Sequence, residues 1–201
     1  MRSLSALHLV LILIVLGTCQ RSQVPEAQPA TPHATVRQPG DSTMQSWSLR
    51  STAFDAQARV PQRHTGDGVD LSPPLTWTPA PAGTRELALV VDDPDAPTAE
   101  PWVHWLLYKI PPQTTSLEEG IPTTRSLSQP PGAVQGQNSW RTVGYRGPAP
   151  PPGHGTHHYH FKLYALDAPL TLEPGLDKRK LLAAMEGHVV AEAELVGTYS
   201  R

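Results

Sequence analysis

Five stretches of the chain distribute apolar and polar residues as strands do. WSLRSTAF (47–54) alternates, with Trp47, Leu49 and Ser51 on one side. LALVVDD (87–93) is a continuous apolar run ending in two acids, the pattern of a central strand covered on both faces. VHWLLYKI (103–110) is aromatic and branched, with prolines at both ends. HHYHFKLYALD (157–167) places Tyr159, Phe161, Leu163 and Ala165 on one face. HVVAEAELVGTY (188–199) turns Glu192 and Glu194 outward beside Val190 and Val196.

One helix is expected. Asp177 caps KRKLLAAME, Leu181, Leu182 and Met185 form its apolar stripe, and Gly187 stops it. A second short helix is compatible with the pattern. Residues 111–152 form a long Gly/Pro-rich stretch with few strand signals, and such stretches in compact domains serve function or cover a sheet. Together these elements predict a mainly β, single-domain, β-sandwich-like fold with Greek-key-type crossovers.

The first 44 residues break this pattern. Arg2 precedes an apolar run from Leu4 to Gly17, too short for a comfortable membrane span and suited to a signal peptide over 1–18. Its end, LGTC, resembles a bacterial lipobox, with Thr18 standing where a smaller residue is usual; Cys19 is then the expected lipidation site. Residues 19–44 hold little beyond Val24 and Val36 to bury, so they read as a Pro-rich disordered tether. The folded domain is placed at 45–201, with export to the periplasm or cell envelope and a membrane attachment through Cys19.

Composition narrows the function. The 201 residues include 23 prolines, which favour turns and edges over helix. The formal net charge is −2, with 16 basic residues scattered among 18 acidic ones. Nucleic-acid binding needs a basic stripe and is not expected. Cys19 is the single cysteine, so no intramolecular disulfide is available.

Candidate chemistry concentrates in three places. In VVDDPDAP (90–97) two adjacent acids end a buried strand, which is costly unless they accept hydrogen bonds or face a pocket; an Asp-rich turn capping its own backbone is the plainer alternative. In PWVHWLLY (101–108) period two puts Trp102, His104, Leu106 and Tyr108 on one face, where His104 is either a satisfied core residue or a ligand contact. In GYRGPAPPPGHGTHHYHF (144–161) a Gly/Pro loop feeds a strand with His157 and Tyr159 on one face, His158 and His160 on the other. Gly153 and Gly155 let its backbone approach an anion with amides free to donate. The histidines lack a zinc-type ligand spacing, so no metal or other cofactor is expected.

The ordered series SPPLTW (72–77), DDPDAP, WVHWLLY, GYRGPAPPPGHGTHHYHFKLYALD and GHVVAEAELVGTY closely resembles the phosphatidylethanolamine-binding family, and within it the bacterial Raf-kinase-inhibitor-like branch. The resemblance covers 45–201. It implies a β-sandwich-like domain with a small anion-binding pocket at one end. Carried over residue by residue, the pocket acids are Asp93 and Asp95, the W-x-H pair is Trp102 and His104, and the H-x-Y pair is His157 and Tyr159. Tyr145 and Pro148 fall in the loop expected to form the rim. Animal members continue into a helix near the pocket. This chain stops after its last strand, so an uncovered pocket is expected.

The function this implies is binding of a small anion or phosphate ester, a phospholipid headgroup among the options. The alternatives are modulation of an exported protein partner, or hydrolysis using an Asp93–His104 pair. Hydrolysis is disfavoured because no G-x-S-x-G elbow is present and Cys19 lies outside the domain.

Overall fold

The structure, a computed structural model, describes residues 47–201. The signal segment, Cys19 and the tether therefore lie outside the described residues. Eight strands and one α-helix follow in chain order: β1 (Leu49–Ser51), β2 (Leu75–Trp77), β3 (Glu86–Asp93), β4 (Trp102–Ile110), β5 (Ser116–Leu117), β6 (Val134–Gln135), β7 (His157–Leu166), α1 (Lys178–Met185) and β8 (Val189–Tyr199). They form a three-stranded sheet, β1-β2-β5, and a five-stranded sheet, β6-β4-β3-β7-β8, with every named pairing antiparallel. β7 lies beside β3 although β4, β5 and β6 intervene in the chain, so the connection crosses over the sheet.

Covering both faces of the large sheet explains why β3 reads as an unbroken apolar run: all eight of its residues are buried. One face packs Leu87, Leu89 and Val91 with Trp105, Leu107, Phe161 and Leu163 against Leu49, Leu75 and Trp77 of the small sheet. The other face packs Ala88, Val90, Val103, Leu106 and Tyr108 against Leu166, Leu170 and the helix residues Leu181 and Met185. The Asp177 side chain accepts from the Lys180 amide, and Gly187 follows the helix with φ +79°. The expected stripe is narrower than read, however. Leu182 points about 100° away from Leu181 and is 38% exposed.

Alternation predicts β7 well, since His157, Tyr159, Phe161, Leu163 and Ala165 are all buried. It fails on β4. Val91 pairs with Trp105 and Asp92 with Val103, so His104 is an extra residue, a β-bulge that reverses the parity of the strand. Trp102 and His104 share the inner face as expected, but Leu106 and Tyr108 belong to the opposite core. The stretch 111–152 is also less irregular than read, for it supplies the short edge strands β5 and β6.

Candidate functional site

The two acids that end β3 go to opposite faces, as a pleated strand requires. Asp92, on the helix side, is paired with the ammonium of Lys178 at the first turn of α1. Asp93, on the inner side, meets His157 across the sheet with Oδ2 at 2.7 Å from Nδ1, and both side chains are almost fully buried. Its Oδ1 accepts from the Asp95 amide at 2.9 Å, which fixes the turn that follows. Neither acid is left without a hydrogen-bonded partner, which removes the burial cost raised by the sequence. The pair is Asp93–His157, where the sequence reading put Asp93 with His104.

His104 is held differently. Its Nδ1 lies 2.6 Å from the carbonyl oxygen of Arg146. A carbonyl only accepts, so Nδ1 carries the hydrogen and donates it. The ring packs edge-on against Trp140 and Tyr159, with centroids 5.1 Å away in each case. Burial holds its pKa below the usual histidine range, although the Arg146 carbonyl and the charges of Asp93, Asp70 and Asp92 act in the other direction. Burial thus favours the neutral imidazole at His104, and its Nε2 has no protein partner.

The Arg146 carbonyl is itself placed by a clamp from residues 62–70. The Gly147 amide donates to Oδ1 of Asp70 at 2.6 Å, the Gly66 amide to the Pro148 carbonyl at 2.9 Å, and the Tyr145 hydroxyl to the His64 carbonyl at 2.7 Å. Close approach makes Gly147 obligatory, since a Cβ there would sit 2.2 Å from the His64 carbonyl oxygen. The Arg146 guanidinium lies 5.0 Å over the Trp140 ring and faces Asp70.

These elements enclose a cavity of about 240 Å³, walled by Asp93, Ala96, Pro97, Thr98, Trp102, His104, Trp140, Ala149, Pro150, Pro151, His157 and Tyr159. Tyr159 contributes the most telling atom. The residue is 1% exposed, and its hydroxyl is buried and makes no well-formed hydrogen bond in the protein, although the Asp93 carboxylate stands close to it. Burial, then the charge of Asp93, pushes its ionisation far above the usual tyrosine range, so it stays an O–H donor.

Five of the residues singled out by the sequence thus meet in one cavity: Asp93, Trp102, His104, His157 and Tyr159. Three do not. The Asp95 carboxylate is exposed and is engaged by the backbone amide and ring of His158, on the other face of β7. Tyr145 is buried in the clamp behind the wall, packed against Trp105, and Pro148 is held there through its carbonyl. The rim is built instead by Ala149, Pro150 and Pro151; the two prolines carry no N–H, and Gly153 and Gly155 lie outside the wall, both with φ in the left-handed region.

Sequence reasoning missed Trp140, which packs edge-on against Trp102 at 5.3 Å and closes one side of the cavity. The only signal for it was a tryptophan stranded in a Gly/Pro-rich segment. Among the described residues no group of three or more His, Cys, Asp or Glu is arranged to hold a metal ion.

Comparison with known proteins agrees with the motif series. The family profile described as "Phosphatidylethanolamine-binding protein" matches residues 50–200. A UPF0098 protein of Methanothermobacter thermautotrophicus is 51% identical over 154 residues, covering 77% of this chain and 99% of the relative. One from Pyrococcus horikoshii is 45% identical and covers 75% of each chain. Among solved structures, YbcL of Escherichia coli, described as a member of the mammalian family, superposes with a TM-score of 0.72 at 31% identity, covering 78% of this chain and 99% of that one. A phosphatidylethanolamine-binding protein homolog from Chlamydia trachomatis gives 0.69 at 38% identity, covering 78% and 98%. Archaeal relatives stand among these, so the similarity reaches beyond a bacterial branch.

Proposed function

The chain belongs to the phosphatidylethanolamine-binding protein family, and from that premise we propose that its cavity binds a small anion, a phosphate ester above all. The observation that carries this reading is the unpartnered, buried hydroxyl of Tyr159 beside two imidazoles whose Nε2 atoms have no protein partner. An unsatisfied buried hydroxyl costs roughly 1–3 kcal/mol, and a ligand oxygen recovers that cost on binding. His157 reinforces the site, because its Nδ1–H is committed to Asp93 and its ring is thereby oriented.

Size sets the ligand class. Pockets that enclose drug-sized molecules run from roughly 300 to 1,000 Å³. At about 240 Å³ this half-open cavity suits a headgroup or free anion rather than acyl chains. Hydrolysis is the weaker reading. The hydroxyl of Thr98 in the wall already donates to the Glu100 carbonyl at 2.7 Å, so a covalent route through that residue is not favoured and only water is left for the Asp93–His157 pair to activate.

Export and lipid attachment at Cys19 form part of the same proposal, since they place the cavity at the cell envelope; a protein partner is the alternative use of the surface. Titration calorimetry with phosphorylethanolamine tests the reading, with the solution analysed for product afterwards. Saturable binding without turnover supports it. Release of ethanolamine favours hydrolysis, and no heat at millimolar ligand rejects both.

A further inference from the structure

Resting on that reading, we propose that the cavity selects by the ligand's own proton: it takes phosphomonoesters and inorganic phosphate in their singly charged form, which keeps an acidic O–H, over phosphodiesters of equal net charge. The geometry of His104 carries the inference. With Nδ1–H spent on the Arg146 carbonyl at 2.6 Å, the neutral ring presents only a lone pair at Nε2, an acceptor. Tyr159, edge-on to the same ring, presents a donor. The cavity therefore offers an acceptor at His104 as well as the Tyr159 donor and the His157 ring, and an anion that carries no hydrogen of its own cannot bond to the first of these.

A phosphodiester has only acceptor oxygens. Set against His104, it leaves two lone pairs facing each other or forces a proton onto a buried ring. The groups around that ring are Asp93 from β3, Asp70 and Arg146 at the clamp, and His157 and Tyr159 from β7, with the charge of Asp92 acting from the other face of β3. The three carboxylates favour a charged ring, but each already has a cationic or imidazole partner, in Lys178, His157 and Arg146 respectively for Asp92, Asp93 and Asp70. Burial outweighs them and favours the neutral ring. A monoester or hydrogen phosphate brings the missing hydrogen on its own P–O–H, so both partners stay in their stable protonation states.

The test compares methyl phosphate with dimethyl phosphate by calorimetry on the full chain at about pH 5.5, below the second phosphate pKa of about 6, where both carry mostly one negative charge. Methyl phosphate is expected to bind about tenfold or more tightly, the worth of one hydrogen bond to a charged group. Inorganic phosphate is expected to bind like the monoester if the phosphate alone is recognised; phosphorylethanolamine binding far better than either assigns the site to a headgroup. His104→Asn retains a donor for the Arg146 carbonyl but is too short to put an acceptor where Nε2 stood, and the preference should shrink to within about twofold. A preference that survives in this variant reflects the extra methyl and overturns the inference. Equal binding of the two esters overturns it as well, while leaving the anion site standing. Failure of all four ligands to bind removes the anion site itself. Should the variant not fold, ¹⁵N NMR of the wild-type complex decides: an unprotonated, hydrogen-bonded Nε2 at His104 supports the inference, and an imidazolium overturns it.

Discussion

Replacing Tyr159 by phenylalanine should move stability and affinity in opposite directions. The change deletes one oxygen and leaves the ring, which packs on His104 and is 1% exposed. Because the hydroxyl has no protein partner, no hydrogen bond is lost in the free protein and no cavity larger than one oxygen is created. Removing an unsatisfied buried hydroxyl relieves part of a roughly 1–3 kcal/mol desolvation cost, so Tyr159→Phe should stabilise the free protein by about 1 kcal/mol. For a domain of this size that raises Tm by roughly 2–4 °C. Phosphorylethanolamine affinity should meanwhile fall about ten- to a hundredfold, the loss of one charge-assisted hydrogen bond of roughly 1.5–3 kcal/mol. Thermal unfolding in phosphate-free buffer and calorimetry on the same preparations measure both quantities. A variant destabilised by 1 kcal/mol or more would show that the hydroxyl has a structural partner. Unchanged affinity would show that it does not meet the ligand.

Gly147→Ala should destabilise the fold by about 2 kcal/mol or more, read by chemical denaturation, because its Cβ meets the backbone oxygen of His64 at 2.2 Å. His158→Ala and His160→Ala should leave affinity within about twofold by calorimetry, since their rings pair with Asp95 and Glu194 on the opposite face of β7. Stability should decline as pH falls below the ordinary histidine value of 6.5. The folded pKa of His104 is depressed, so the unfolded chain takes up a proton first, and the stability present above that value is lost on acidification. Melting curves at neutral and mildly acid pH check this, and His104→Asn should flatten the slope. Mass spectrometry of the membrane fraction should find a mature chain beginning at an acylated Cys19; a soluble form cleaved elsewhere would refute the anchor.

What the sequence revealed, and what it hid, follows from the range of the interactions. His157 and Tyr159 could be placed on the buried face because β7 is regular, and a period of two survives along its whole length. His104 was assigned to the right face, but its neighbours Leu106 and Tyr108 were not, since a bulge has no signature in the pattern of apolar residues. The adjacent acids Asp92 and Asp93 announced a burial problem without revealing its solution, because Lys178 and His157 lie more than sixty residues away in the chain. Trp140 and the clamp around Gly147 were hidden for the same reason: a loop's position depends on distant backbone contacts that no local propensity records. Asp95 shows the converse, a motif residue whose amide serves the turn and whose carboxylate engages His158 on the outside of the sheet.

The anion site can be tested most directly by a crystal structure of the protein grown with phosphorylethanolamine. The account requires the phosphate inside the cavity between β3, β4 and β7, with oxygens at hydrogen-bonding distance, about 2.6–3.2 Å, from the Tyr159 hydroxyl and from Nε2 of His104 and His157. The Asp93–His157 and His104–Arg146 contacts should persist in that complex. A cavity holding only water at saturating ligand, or phosphate bound elsewhere, would contradict it.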